Sequence, residues 1–241
     1  QDVEPICGPN IKCLAVLSGQ GHVLNPLSYV TELAEVFRNL GGTFIQTDVQ
    51  DFEKDADKIS AVLTDQGRFE CDKIVVTAGI WSKPLMAKLG LNVPLETERG
   101  YHVMYKNPSQ IPKNPMIMTT GKFGVTPMTE GLRCAGTVEL GGIHLRPSKA
   151  PLKLLRRRVA EAFPNMTYES TEEWMGFRPS TPDSLPLIGE LGQSGIYTAF
   201  GHQHVGMTAG PKTGRLITDL IDKRTPNIDM SPYDPARYAR R

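Results

Sequence analysis

The sequence predicts a mixed fold, in which part of a parallel α/β sheet is combined with an antiparallel sheet of the α+β kind. Residues 72–79 form an almost continuously apolar run that ends in small residues, the pattern of a parallel strand buried on both faces. Residues 93–140 change to short alternating segments, which favour an antiparallel sheet. The 23 Gly and 19 Pro residues exclude a helical bundle, because both residue types interrupt helices.

Apolar residues at helical spacing predict three amphipathic helices. The first follows Asn25-Pro26 and ends at Gly41-Gly42. The second opens at Ala150-Pro151 and places a basic run on its outer face, and the third covers residues 206–222. Residues 80–89 are predicted to form a shorter helix.

Further strands are predicted where β-branched and aromatic residues lie between turn residues. In chain order they are residues 43–49, 58–64, 68–70, 171–177 and 196–200. The first three follow one another closely, with a turn at residues 65–67, and therefore predict a small hairpin or meander. The segment after Lys223 is predicted to lie along the surface as a strap.

Composition and spacing exclude several classes of protein. The 27 Lys and Arg residues nearly balance the 26 Asp and Glu residues, so no nucleic-acid surface is expected. No run approaches the roughly 18 apolar residues of a membrane span, and the first residues do not resemble a signal peptide. The four cysteines form no C-x-x-C pair and have no His at ligand spacing, so no metal site is expected. They are Cys7, Cys13, Cys71 and Cys134, of which the last two are predicted to be buried, reduced thiols.

Five short motifs follow one another along nearly the whole chain. They are GHVLNP at 21–26, KIVVTAGIWS at 73–82, PLETERG at 94–100, GFRPSTPD and LIG within 176–189, and GH and GMT within 201–208. In this order they resemble the motifs of the D-amino-acid oxidase superfamily of FAD-dependent oxidoreductases. Within that superfamily the sequence is most similar to bacterial D-amino-acid dehydrogenases and to glycine and sarcosine oxidases.

One feature of that superfamily is absent from the sequence. Its members begin with a strand, a G-x-G-x-x-G turn and a helix that hold the FAD pyrophosphate, and no G-x-G-x-x-G occurs in this sequence. The resemblance therefore implies an incomplete FAD-binding Rossmann-like domain in residues 1–92 and 176–241, with an antiparallel substrate-binding domain in residues 93–175. We interpret the sequence as a fragment that lacks an amino-terminal segment, or that receives this segment from a partner chain.

The resemblance assigns FAD to three stretches. The backbone of Val49 is expected to bind adenine. Small side chains at Thr77, Ala78 and Gly79 would let a cofactor approach the backbone, although tight packing of a helix on this strand would use the same residues. Trp81 is equally suited to a position near the flavin and to the core. A glycine-bounded loop then leads into the last predicted helix, whose amino end would face the anionic reduced flavin. The cofactor-binding residues expected there are Gly201, His202, Val205, Gly206, Met207 and Thr208.

Arg178 is the candidate for binding the substrate carboxylate. It ends a predicted strand just before Pro179, a position from which a guanidinium can donate two parallel hydrogen bonds. The resemblance implies the same role. His204 lies in the loop with His202, and two histidines at this spacing indicate by themselves either a metal site or nothing. The resemblance places both toward the flavin or the substrate.

Tyr101 is the third candidate catalytic residue. Alternation along its strand puts Tyr101, Val103 and Tyr105 on one face and His102 and Met104 on the other. One of these two faces is expected to line the substrate pocket.

These assignments imply FAD-dependent oxidation of a D-amino acid or a related amine, for example a D-proline derivative. A hydride would pass from the substrate α-carbon to flavin N5, and the imino acid formed would hydrolyse to a keto acid, with no general base required. The electrons would leave to oxygen, a quinone or another carrier. This predicts a cytoplasmic protein, or one peripheral to the inner face of the plasma membrane. The rival interpretation is a noncatalytic subunit that partners a separate flavin-bearing chain.

Overall fold

The computed structural model of the protein describes residue 6 and residues 11–239. Its helices and strands, in chain order, are α1 (Pro26–Asn39), β1 (Val49–Asp55), β2 (Lys58–Thr64), β3 (Gly67–Glu70), β4 (Ile74–Val76), α2 (Ser82–Lys88), β5 (Glu96–Lys106), β6 (Met116–Met118), β7 (Phe123–Met128), β8 (Gly131–Leu140), α3 (Lys149–Ala162), β9 (Ser170–Ser180), β10 (Leu187–Glu190), β11 (Ile196–Phe200) and α4 (Gly206–Ile221). Short 3₁₀ turns lie at Gly79–Trp81, Ser231–Tyr233 and Pro235–Tyr238.

The described chain forms two compact units. The first unit contains residues 11–44, 99–140 and 144–176, and the second contains residues 45–98, 141–143 and 177–239. Residues 11–44 therefore group with the antiparallel sheet. The domain boundaries expected at residues 92 and 175, and the assignment of residues 1–92 to an FAD-binding domain, stay predictions.

The first unit is built on a five-stranded sheet in the order β6-β7-β8-β5-β9, which confirms the predicted antiparallel sheet in its β6-β7-β8 part. Alternation along β5 directs Tyr101, Val103 and Tyr105 into the core. Helix α3 contributes Leu155 and Val159 to the same core, as its apolar spacing predicts. The core of this unit is thus filled from one face of the sheet and one face of a helix.

Helix α1 of the first unit forms where the sequence predicts it. The Asn25 side chain accepts hydrogen bonds from the N–H groups of Leu27 and Ser28, both at 3.1 Å, and Pro26 occupies the first helical position. No residue of α1 is buried, although the helix carries a regular apolar face. Its apolar face therefore has no cover among the described residues.

The second unit contains two three-stranded sheets. Strands β1, β2 and β3 form the predicted antiparallel meander, but the first strand spans Val49–Asp55 rather than residues 43–49. That prediction was wrong because the strand is polar and its signal is weaker than the apolar Phe44-Ile45 pair before it. In the other sheet, of order β10-β11-β4, strands β4 and β11 pair in parallel.

Strand β4 lies at the edge of its sheet and is buried on one face only, so the expectation that it is buried on both faces is wrong. Val76 is buried, whereas Val75 is 37% exposed. Helix α4 packs Leu216 and Ile217 against Ile188 and Tyr197. This packing confirms the predicted inner face of the helix.

The carboxy-terminal segment of the second unit is a strap, as predicted. Arg237 donates hydrogen bonds to the Asp183 carboxylate at 2.8 Å and to the Leu185 carbonyl at 2.7 Å. Among the predicted thiols, Cys134 is buried and Cys71 is half-buried, and both are free; Cys7 lies outside the described residues. Within residues 6 and 11–239, no helix has the length and apolarity needed to cross a bilayer.

Candidate active site

The amino end of α4 is the best-defined anion-binding feature of the second unit. The helix starts at Gly206, and its first helical hydrogen bond is donated by Ala209 N to Val205 O at 2.8 Å. No side chain caps this end and its first turn contains no acidic residue. The N–H groups of Gly206, Met207 and Thr208 therefore point out of a sixteen-residue helix toward its positive end.

The loop before α4 is held in place by close backbone contacts. Gly201 has a φ of +89°, and a Cβ there would lie 3.2 Å from Thr181 Cγ2, so only glycine fits without strain. The backbone N–H of Gln203 donates to Pro179 O, and its side-chain amide donates to Thr181 O, both at 3.2 Å. The loop is thus tied to the end of β9, directly after Arg178.

A cavity of about 310 Å³ lies between α4 and the strands β4 and β11. Its α4 wall includes Gly206, Gly210 and Gly214, which recur every four residues and so share one helix face. Val75 and Thr77 form part of the opposite wall. The wall of α4 is bare backbone over two turns, which allows another group to approach it closely.

The predicted cofactor residues around β4 have different surroundings. Thr77 lines the cavity, and Gly79 has a φ of +57° at the turn into Trp81. The Trp81 ring meets Phe177 edge to face, with centroids 6.1 Å apart, and is 55% exposed. Trp81 is therefore not a core residue, which leaves the position near the flavin as the prediction; flavin contacts of Thr77, Ala78 and Gly79 also stay predictions.

His202 and Val49 occupy defined positions of their own. His202 also lines the cavity, and its Nε2 lies 2.9 Å from Thr213 Oγ1. Burial lowers the pKa of His202, which favours the neutral ring. Val49 starts β1 opposite Thr64, and the binding of adenine to its backbone stays a prediction.

Arg178 of the second unit has an unpaired guanidinium nitrogen and one charge that acts on it, that of Glu98. Its Nη1 is buried and has no hydrogen-bond partner among the described residues. Burial lowers the pKa of the guanidinium, and the negative charge of Glu98 opposes this shift. Oε2 of Glu98 also lies 3.1 Å from Nε2 of His204. The carboxylate that pairs with His204 is thus also the one whose charge acts on Arg178.

Glu98 is the residue of this group that the sequence analysis missed. It lies 106 residues before His204. No local spacing links the two, although Glu98 stands inside the PLETERG motif at residues 94–100. The available signal for Glu98 was its position as a charged residue near the start of β5.

Tyr101 belongs to the first unit and has a different environment. It is 1% exposed, its hydroxyl donates to the Glu139 carboxylate, and it accepts from the Ser148 N–H at 3.1 Å. Arg99 donates to the carbonyls of Leu145 and Arg146 in the same network. These contacts favour a role for Tyr101 in holding residues 145–148 over a direct contact with substrate, and its catalytic role stays a prediction.

The opposite face of β5 carries His102. The His102 ring stacks on Trp174 with centroids 5.1 Å apart and an angle of 19°, and Arg133 Nε donates to His102 Nδ1 at 3.3 Å. Burial and the Arg133 charge lower the pKa of His102 to about 4, so its ring is neutral at neutral pH. Among the described residues, no group of three or more His, Cys, Asp or Glu could hold a metal ion.

A parallel strand pair followed by an uncapped helix end is the architecture of nucleotide-binding α/β proteins. Comparison with known sequences shows which family of such proteins this chain belongs to. The pattern of the FAD dependent oxidoreductase family (DAO) matches residues 1–220, and the chain belongs to this family. FAD is the cofactor of that family.

Two curated relatives illustrate the match. A D-amino-acid oxidase from Bradyrhizobium diazoefficiens is 36% identical over 240 residues, which cover 98% of this chain and 57% of the relative. A D-amino acid dehydrogenase from Allorhizobium ampelinum is 30% identical, over 88% of this chain and 51% of the relative. The chain thus spans little more than half the length of these two relatives.

Solved structures share the fold. L-Proline dehydrogenase from P. horikoshii superposes with a TM-score of 0.76 at 23% identity, over 88% of this chain and 59% of that one. Glycine oxidase from Geobacillus kaustophilus gives 0.74 at 24% identity, over 87% and 57%. At these identities the likeness establishes the mixed helix-and-sheet fold of FAD-dependent amino-acid oxidases and dehydrogenases.

The residues of the second unit fit an FAD flavin. The uncapped N–H groups of Gly206, Met207 and Thr208 suit a ring that becomes anionic on reduction, and the open glycine face admits a flat group close to the backbone. The unpartnered Nη1 of Arg178 suits a carboxylate. Both features are available without rearranging a described hydrogen bond.

Proposed function

We propose that the chain carries the flavin-facing and substrate-binding part of an FAD-dependent enzyme that oxidises a D-amino acid or a related amine. The observation that carries this proposal is the buried Nη1 of Arg178, left without a partner next to the anchored loop before α4. A bare, buried guanidinium nitrogen costs free energy unless an anion binds it. A substrate carboxylate would supply that anion.

Bound FAD would accept a hydride from the substrate α-carbon, which leaves an imino acid for hydrolysis to a keto acid. The residues of the chain then have separate tasks. Arg178 would orient the substrate by its carboxylate. The N–H groups of Gly206, Met207 and Thr208 would stabilise the negative charge that arrives with the hydride. Which face of β5 lines the substrate pocket stays a prediction.

We further propose that a nucleotide-binding segment outside these 241 residues completes the FAD site. The relatives are longer, and the sequence contains no G-x-G-x-x-G turn for the pyrophosphate. In the second unit, the free edge of β4, the exposed Val75 and the bare face of α4 are surfaces that a strand and a helix would cover. The predicted location, in the cytoplasm or peripheral at the plasma membrane, stays a prediction. The identity of the electron acceptor also stays a prediction.

The rival proposal is a noncatalytic subunit that partners a separate flavin-bearing chain. The missing phosphate turn is the observation that favours it. Purification from the native source distinguishes the two. A single chain that contains these residues and carries FAD supports the enzyme, whereas co-purification with a different flavoprotein supports the rival.

Substitution of Arg178 tests the proposed enzyme directly. In the complete FAD-loaded protein, we expect Arg178→Ala to lower kcat/KM, mainly by raising KM. The loss should correspond to about 2–4 kcal/mol of transition-state stabilisation, because charge-assisted hydrogen bonds to the substrate carboxylate are lost. Arg178→Lys should recover little, because an ammonium cannot donate the paired bonds. Arg215→Ala is the matched control, since Arg215 is exposed on α4 and its partner Asp219 keeps Arg224. Unchanged kcat/KM in Arg178→Ala would remove Arg178 from the substrate site.

Substitution of Gly206 tests the flavin position. A Cβ at Gly206 would meet only His202 Cβ, at an ordinary 3.5 Å, so a side chain fits the protein itself. We therefore expect Gly206→Val to fold normally but to bind FAD at least about tenfold more weakly, because the side chain would occupy the space in front of the helix end. Equilibrium dialysis against FAD measures this. Wild-type affinity in the variant would place the flavin elsewhere.

A further inference from the structure

His204 is the one histidine of the loop before α4 whose ring is bound to a carboxylate. Its Nε2 lies 3.1 Å from Glu98 Oε2, and the side chains are 52% and 26% exposed. His202, two residues earlier, is instead engaged with the Thr213 hydroxyl. The loop thus presents one imidazole that is both accessible and oriented.

The backbone around His204 is fixed on both sides. Gln203, at a φ of +50°, is tied through its backbone and its side chain to Pro179 and Thr181. On the other side, Val205 N donates to His202 O at 3.0 Å. With its backbone anchored and its ring paired, His204 is held as a positioned group rather than as a free surface histidine.

The carboxylate paired with this imidazole also acts on the proposed substrate-binding group. Glu98 lies on β5 and pairs with the ring, and the Arg178 guanidinium on β9 lies within range of the same carboxylate. The Glu98 carboxylate thus interacts with the His204 imidazole and also with Arg178, the residue that would bind the substrate carboxylate. An amino acid bound at Arg178 carries its ammonium one carbon away from its carboxylate.

We propose that His204 accepts the proton of the substrate ammonium, with Glu98 as its positioning residue; this inference rests on the proposed function. An ionised carboxylate only accepts hydrogen bonds, so His204 Nε2 donates to Glu98, and in the neutral ring the lone pair is then on Nδ1. A neutral amine is needed because an ammonium has no lone pair to support loss of the α-hydrogen with its electrons.

The step balances as a simple proton transfer. An N–H bond of the ammonium breaks, an Nδ1–H bond forms, and Glu98 stabilises the imidazolium by the logic of an acid–base pair. With FAD bound as the oxidant of the proposed function, the α-hydrogen would then leave with two electrons to it, and the imidazolium would release its proton to water. Direct loss of hydride from an amine that arrives neutral, as the sequence analysis assumed, becomes the minor route at neutral pH.

The test compares kcat/KM at two pH values in the complete FAD-loaded enzyme, with D-proline as the first probe and a panel of D-amino acids behind it. His204→Gln keeps an amide that can donate to Glu98 but removes the basic nitrogen. We expect a loss of about 100-fold near pH 7 for His204→Gln and about tenfold for Glu98→Gln. Both losses should shrink to within about threefold near pH 10, where a substantial fraction of the substrate arrives with a neutral amine.

A second readout needs no turnover. In protein with ¹⁵N-labelled histidine, the wild-type His204 should show the Nε2–H tautomer, and Glu98→Ala, which leaves no acceptor at this position, should lose this preference. Glu96→Gln and Glu96→Ala, two residues away and exposed on the same strand, are the matched controls and should change neither measurement. Losses of equal size at both pH values, or an unchanged tautomer in Glu98→Ala, would overturn the inference. A wild-type enzyme that oxidises no amino acid would overturn the proposed function instead.

Discussion

Two helices of the first unit, α1 and α3, have the same length of fourteen residues and similar amphipathic patterns, yet only one of them is packed. Helix α3 buries Leu152, Leu155, Val159 and Ala162 in the core under the sheet. Helix α1 buries none of its residues. An apolar stripe thus predicts that a helix face will be covered, but it does not say which segment covers it.

The same contrast appears within the second unit. Ile188 and Tyr197 on β10 and β11 are sealed by α4, whereas Val75 on β4 is exposed and one face of α4 borders an open cavity. Regions that this chain covers itself and regions that it leaves open can therefore be compared by experiment. The predictions below follow this division from the largest expected effect to the smallest.

Truncation of a closed face should cost the most stability. Leu155 on α3 is fully buried, and we expect Leu155→Ala to lower the free energy of unfolding by about 3 kcal/mol, because it leaves a cavity in the core. Leu33 on α1 is 51% exposed, and Leu33→Ala should cost less than about 0.5 kcal/mol. Urea unfolding of the two variants measures the difference. Equal losses would mean that α1 is already packed in solution.

The strap gives an intermediate effect with a defined pH dependence. Burial alone would raise the pKa of Asp183, but hydrogen bonds from Arg237 and the Leu185 N–H outweigh it and hold that pKa below its usual range. The stability from this pair is therefore present above about pH 4 and is lost as the pH falls further. We expect Arg237→Gln to lower the free energy of unfolding by about 1–2 kcal/mol at pH 7. The difference in this free energy between variant and wild type should become smaller at lower pH. A gap that widens on acidification contradicts this assignment.

The open face should influence association more than folding. Exposed apolar residues of α1 and its C-cap, such as Leu33 and Leu40, form a surface that favours self-association of the isolated chain. We expect Leu33→Glu with Leu40→Glu to shift the chain toward monomer in analytical ultracentrifugation, with little change in its unfolding midpoint. A wild-type chain that is monomeric at all concentrations tested would show that this surface does not drive self-association.

Local patterns predicted much of this fold, and distant pairings account for what they missed. Helical spacing located α1, α3 and α4, and alternation gave the antiparallel sheet. The strand expected at residues 43–49 was displaced because exposed strands carry weak patterns. The edge position of β4 depends on which strands pair, which no short window contains.

The site shows the same limit. Single motifs identified Arg178 and the loop around His204, since each stands in a short glycine- or proline-marked segment. Glu98 was missed because its link to His204 joins two distant segments of the chain. Alternation separated the two faces of β5, but only the structure showed that Tyr101, Val103 and Tyr105 pack into the core.

The central claim is that the amino end of α4 faces a flavin whose phosphates are bound by a segment outside these 241 residues. The most direct measurement is gel filtration of the 241-residue chain with added FAD, with flavin absorbance read across the protein peak. The account predicts a protein peak with far less than one FAD per chain and a tendency to associate through its open faces. A monodisperse monomer with one FAD per chain would contradict it.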